Sequence, residues 1–325
     1  MINEAKTSIT IRLLEENELG EADRIFRLAF GTFLGLPDPL AFLGDADYVR
    51  TRWQADPASA FAAEVDGELV GSNFATHWGS VGFFGPASVH PDLWDGRRSA
   101  PRRAGEGAFR RVGYRACGPR HLVPQPQAHL PLPETRFLGP VSHRDHVQVG
   151  SAEAYMVGED EPAPQWSRFS ELSESHREET LKTCGELTGL IYDGLDVSGE
   201  IRAVASQNLG DTVLLRDDSG LAGFAVCHCG VGTEAGSGAC YVKFGAIRPG
   251  PDAGRNFERL LGACEALAAA EGMQVLNAGA NMGRHEAYRS LLARGFRIEI
   301  QGVTMHRPDE PGYDQPDIYI IDDWR

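Results

Sequence analysis

Gly85 to Trp94 reads GPASVHPDLW. Small and apolar residues lead into Val89, and His90-Pro91 follows. Proline has no N–H, so it ends a strand ladder. A strand that stops this way in a βα unit is followed by a turn that opens a helix. The free N–H groups at that helix start can hold phosphate. Upstream, Ile9-Thr10-Ile11-Arg12-Leu13 alternates like a strand. Ala22, Ile25, Phe26, Ala29, Phe30 and Phe33 recur at helical spacing and predict an amphipathic helix over residues 20–34. Gly35 to Pro39 is a turn-rich loop. Asp45 can cap a second helix carrying Tyr48, Val49 and Trp53. Phe61 to Val65 reads as a strand, Asp66-Gly67 as a hairpin turn, and Leu69 to Trp78 as its partner. Val81 to Val89 makes a third strand of that antiparallel run.

The order β-α-α-β-β-β, with Val89 and Pro91 at its end, resembles the GCN5-related N-acetyltransferases over residues 8–94. Their fourth strand and pyrophosphate turn follow the pattern V-x-P-x-x-[QR]-x-x-G-x-[GA]. The first half fits. In the second half Trp94 stands at the Gln/Arg position, and the Gly-x-Gly offset is missing.

From Gly96 to Val149 the composition changes. These 54 residues hold ten Arg, no Lys and three acids. That is a local net of +7 against −15 for the chain, which leaves −22 elsewhere. Seven Pro fall here, and periodicity disappears. A basic disordered insertion and an anion-binding arm are two readings. The third, which we adopt, is translation out of frame. Back-translated with free third bases and moved by one base, Cys117 to Gly139 yields an alanine helix followed by LYQKLGF, the family's missing LYxKxGF signature. As it stands, Arg102 to Gly107 matches R-x-x-G-x-G, but eight residues too far from Pro91. The nucleotide sequence decides the matter. Compensating shifts are expected near Gly96 and Gly150, and an unambiguous read in the present frame overturns the reading.

Glu159 to Pro164, EDEPAP, reads as a linker, and then the pattern starts again. Ser170 to Tyr192 is a helix, with Ser170 or Ser173 as its cap. Thr212–Arg216 and Leu221–Gly230 are strands around a turn. ACYVKFGAIRP, from Ala239 to Pro249, repeats the strand-then-proline pattern. Phe257–Ala270 is a helix and Val275–Ala280 a strand. His285–Arg294 is a helix that closes at Gly295. Arg297–His306 is the last core strand, and Ile318–Ile321 adds an edge. The expected fold class is α/β (α+β), with two tandem acyl-CoA N-acyltransferase-like domains. Each is a mixed sheet flanked by helices, and the first is disrupted after its fourth strand. The expected domains are 1–158 and 165–325, joined by 159–164.

The resemblance implies the chemistry. Acetyl-CoA, as a substrate, lies in a splay between strands 4 and 5 and pairs with strand 4. It gives its acetyl group to the amine of a small molecule or peptide. A carboxylate or water takes the amine proton, and a Tyr protonates the thiolate. This assigns backbone pairing to Ser88 and Val89 in the first domain, and to Ala246 and Ile247 in the second. Glu64 and His77 are candidate bases. Each also reads as a strand surface residue. Tyr288 is the candidate thiolate donor, although the family's donor position is occupied by Leu291. Tyr288 also reads as helix packing, and Asn281 as part of the cap region of that helix. The Leu36–Leu40 loop and Trp53 are acceptor-side by position. In the second phosphate turn, Pro249 to Phe257, Asp252 stands for Gln/Arg, Arg255 for Gly and Phe257 for Gly/Ala. These replacements make the second domain degenerate and weaken cofactor binding. The rival expectation is a catalytically silent binding or scaffold protein of the same fold.

Composition bounds the rest. The chain has 325 residues, is 42% hydrophobic and 24% charged, and carries a net charge of −15. Acidity argues against nucleic acid and anionic membrane as partners. There is no apolar run of membrane-spanning length and no signal-type start. Six cysteines without paired spacing suggest reduced thiols, hence a cytoplasmic location. Cys227-His228-Cys229 puts both thiols on one strand face, which favours buried core over a metal site, and no metal is expected.

Overall fold

The computed structural model describes residues 9–93, 122–124, 144–152, 166–304 and 315–322. Two compact units emerge. One comprises Met1–Thr76 with Gly82–Arg120, and the other His77–Val81 with His121–Arg325. Among the described residues, no helix is long and apolar enough to cross a membrane.

In the first unit β1 (Ile9–Leu13), β2 (Ala60–Val65), β3 (Glu68–Trp78) and β4 (Val81–Val89) lie side by side in chain order. The β2–β3 turn is Asp66-Gly67 with both φ positive, at 52° and 86°, as a two-residue hairpin requires. Helix α1 (Leu19–Phe33) buries Ala22, Ile25, Phe26 and Ala29 of the expected stripe together with Leu19, whereas Phe30 is half-buried and Phe33 exposed. Phe26 stacks on Tyr48 at 5.5 Å, which ties α1 to α2 (Tyr48–Ala55). The cap of α2 is Asp47, not Asp45. Its carboxylate accepts from Arg50 N–H at 3.0 Å, because it sits one residue before the first helical residue.

The second unit carries β7 (Trp166–Arg168), α3 (Glu174–Ile191), α4 (Ser198–Gln207), β8 (Gly210–Asp217) and β9 (Gly220–Gly230). They are followed by β10 (Gly236–Ile247), α5 (Ala253–Ala270), β11 (Val275–Asn281), α6 (His285–Ala293) and β12 (Arg297–Thr304). One long helix expected over 170–192 starts later, at Glu174, because Ser170 bonds instead to Asp211 on β8. The periodic reading missed α4, whose apolar stripe is only Ile201, Ala203 and Val204.

Two strands fall where the sequence shows no periodicity: β5 (Leu122–Pro124) and β6 (Arg144–Ala152). β6 lies antiparallel between β11 and β12, giving the order β12-β6-β11-β10-β9-β8-β7. β6 belongs to the second unit, whose sheet places it between β12 and β11. Apart from these two strands, the stretch expected to be out of frame lies outside the described residues, as does the linker 159–164.

The turn His77–Val81 is also part of the second unit. Trp78 is fully buried, edge-on to Phe244 at 5.1 Å, and its indole N–H donates to Glu200 Oε1 at 3.1 Å. Gly79 has φ +64°, and any Cβ there would overlap the Gly194 carbonyl, so only glycine fits.

Candidate functional site

The repeated strand-then-proline pattern places two comparable strand ends, at β4 and at β10. In the first unit Ser88 and Val89 are buried. Ser88 Oγ lies 3.2 Å from Ser72 Oγ, and the His90 N–H donates to the Val70 carbonyl at 2.8 Å, so β3 holds one edge of this strand end. Pro91–Leu93 turns in a single 3-10 turn. The turn residues from Trp94 on lie outside the described residues. Arg52, buried on α2, reaches β4. It stacks over Tyr48 at 4.3 Å, donates to the Tyr48 hydroxyl at 2.8 Å and to the Gly85 carbonyl at 3.2 Å. The sequence reading did not single out Arg52 or the Tyr48 hydroxyl; an Arg four residues after a Tyr in a short helix was the available signal.

The candidate bases stand apart. Glu64 lies on β2 opposite Thr10, and its carboxylate accepts from Arg12 Nε at 2.9 Å. Arg12 also grips Glu18 through two bonds of 2.6 Å. That hydrogen bond holds Glu18 below the usual carboxylate range. His77 is exposed, at the far end of β3. Trp53, expected on the acceptor side, instead donates its indole N–H to the Leu14 carbonyl at 2.9 Å and packs on the core beneath α1.

In the second unit β10 pairs in parallel with β11 only from Ala239–Val275 to Val242–Ala278. Beyond that point the edge of β10 is taken by the chain's own tail. β13 (Ile320–Ile321) runs antiparallel to it, with Ile321 opposite Gly245 and Ile320 opposite Ala246. The Ile247 N–H donates to the Tyr319 carbonyl at 3.1 Å, and the Asp322 N–H donates to Gly279 on β11 at 3.3 Å. Ala246 and Ile247, expected to face a cofactor, therefore hold peptide. The segment, expected to add an edge, lies instead inside the splay, where both isoleucines are fully buried. Each such side chain contributes about 1.5–3 kcal/mol.

The tail also covers the start of α5. A Cβ on Gly254 would come within 2.9 Å of the Tyr319 hydroxyl, and the Tyr319 ring lies 5.2 Å from that of Phe257. Burial raises the Tyr319 phenol above its ordinary pKa, and nearby carboxylates, Glu286 first, add to the effect. Phe257 was expected to face a phosphate; it turns into the core instead. Asp252, before the first helical residue, is exposed and paired with Arg255 at 2.9 Å. Tyr288 is half-buried against the same core as Phe257, in keeping with packing on α6. Asn281 accepts from the Gly283 N–H at 2.8 Å in the turn before that helix.

Two buried ionic groups escaped the sequence reading. Arg284, just before α6, is fully buried. It donates to the Ile320 carbonyl at 2.9 Å and pairs with Asp322 at 2.6 Å. Lys243 sits at a register shift in β10, between Val242 and Phe244, and such bulges re-aim a side chain. Its ammonium lies 2.7 Å from Glu234 and 3.3 Å from Glu200. Its signal was a lysine in the middle of the apolar run ACYVKFGAI. On the other face Cys229 and Cys240 are directly opposite each other, with sulfurs 3.5 Å apart and no disulfide. Cys227 is buried beside them. Hydrogen bonding to Cys240, followed by burial, pushes the Cys229 thiol up, and neighbouring thiols do the same to Cys227. Among the described residues, no group of His, Cys, Asp and Glu could hold a metal ion.

No protein-family model and no curated protein matches the chain. Solved structures do match. A candidate acetyltransferase from Pyrococcus horikoshii aligns over 100% of this chain and 98% of its own, at 13% identity and a TM-score of 0.63. A GCN5-related N-acetyltransferase from Sphaerobacter thermophilus aligns over 94% and 96%, at 14% identity and 0.52. A tandem GNAT protein from the clavulanic acid biosynthesis pathway aligns over 94% and 100%, at 13% identity and 0.51. N-myristoyltransferase from Saccharomyces cerevisiae, solved with myristoyl-CoA, aligns over 92% and 80%, at 11% identity and 0.57. The strand order of the two units and these alignments together give the chain the tandem fold of the GCN5-related N-acetyltransferases.

Proposed function

We propose that this fold serves acyl transfer here, moving acetyl from acetyl-CoA to the amine of a small molecule or peptide, at the end of β4 in the first unit. The observation that carries the reading is the occupied edge in the second unit. Gly245 to Ile247 pair with the tail, so we assign the cofactor to the other strand end, at Ser88 and Val89 of β4, a strand that β5 also joins. The amine attacks the thioester carbonyl, the C–S bond breaks, and the thiolate leaves. Glu64 is already committed to Arg12, and His77 stands outside the first unit, so we assign the amine proton to water. Tyr288 remains a packing residue of the second unit.

The chain as it stands is proposed to hold acetyl-CoA weakly. Neither turn offers the small residues that let phosphate approach the backbone closely: Trp94 stands in one, Arg255 and Phe257 in the other. Titration calorimetry is expected to give a dissociation constant near 1 mM or weaker, about −4 kcal/mol. A micromolar constant, about −8 kcal/mol, overturns this. The occupied cleft equally favours a second reading, a catalytically silent binding or scaffold protein. Release of free CoA thiol in the presence of amines separates the two, since a scaffold releases none.

A further inference from the structure

We propose that the groove between β10 and β11 is a peptide-binding site, filled in cis by Ile318–Asp322. The inference stands on the geometry of the second unit and is independent of acyl transfer elsewhere. Three features define a recognition site. The backbone of the segment bridges both strands, accepting from Ile247 and donating to Gly279, as an added strand does. The adjacent Ile320 and Ile321 are each fully buried, and successive residues of a strand point to opposite faces. Ile321 enters the cluster of Val242, Phe257 and Ala280. The third feature is a charged anchor. The fully buried Arg284 reads one carbonyl, that of Ile320, and one carboxylate, that of Asp322. A guanidinium placed so reads main chain and side chain at once. The groove therefore selects an extended peptide with two adjacent β-branched residues followed by Asp, and the chain's own tail supplies it.

The test uses the full chain and the synthetic peptide of residues 316–325. The unaltered protein is expected not to bind the peptide, since its groove is filled. The Asp322→Ala protein, its tail loosened, is expected to bind the unmodified peptide. The same peptide carrying Asp322→Ala is expected to bind at least roughly 150-fold more weakly, the lower end of the scale of one broken buried ion pair. Failure of the variant to bind either peptide, or equal binding of both, overturns the proposal. Displacement of the peptide by acetyl-CoA would assign the groove to the cofactor and overturn it as well. If Asp322→Ala does not fold, hydrogen exchange on the unaltered protein gives the answer. The amides of Ile247 and Asp322 are expected to open together as one cooperative unit. Independent opening counts against the tail as a single bound peptide.

Discussion

Arg284→Met is expected to lower the melting temperature of the second unit by roughly 6–20 °C, which corresponds to about 3–5 kcal/mol. Arg284 has no exposed surface, and Asp322 has 1%. Desolvating both charges is costly, and their attraction repays it only while both are present. The substitution keeps most of the buried volume but removes the guanidinium. Asp322 then loses its partner in the splay, and the Ile320 carbonyl loses a donor at 2.9 Å. Because Asp322 anchors the tail, the loss spreads to Ile320, Ile321 and Tyr319. The double variant Arg284→Met/Asp322→Leu removes both charges, and an apolar pair of similar size costs little when nothing charged stays behind. It is expected to recover most of the melting temperature. Differential scanning calorimetry of the two variants checks this. A double variant no more stable than the single one would mean that the pair is not the tail's anchor.

The legible parts of the fold are the ones whose own residues repeat. Ala22, Ile25, Phe26 and Ala29 gave α1 nearly to its ends because one stripe meets one sheet. Asp66-Gly67 gave the hairpin because few residues tolerate two positive φ angles in a row. One strand was hidden for a different reason. β6 lies in a Pro- and Arg-rich stretch, and only its partners β11 and β12 make it a strand. Ile318–Ile321 was legible as a strand but not its place in the splay, where Ile320 is held by Arg284, 36 residues away in sequence. The site failed to read for the same reason. Ala246 and Ile247 have backbone groups free to pair in any sequence, and nothing local says that the partner is the chain's own tail. Arg284 and Lys243 were passed over because a lone charge looks like surface until a buried partner is found.

Lys243→Met is expected to destabilise the second unit by about 3–5 kcal/mol, seen as a lower urea midpoint with an unchanged slope. Lys243 is 3% exposed, Glu234 0% and Glu200 9%. The ammonium stands between two carboxylates on different elements, the β9–β10 loop and α4. One ammonium and two carboxylates carry −1 together, so the lysine offsets a repulsion that burial would magnify. Methionine fills much the same space and tolerates an irregular site, so packing loss is small. What is lost is the cation. Glu200 also accepts from Trp78, whose ring packs on Phe244, so a displaced Glu200 loosens the turn that Gly79 and Ser80 pin to Gly194. Adding Glu234→Gln to Lys243→Met should return part of the stability at neutral pH, because one of the two charges then disappears. Urea titrations of the single and double variants test this. A deficit untouched by Glu234→Gln would show that Lys243 contributes packing and not charge.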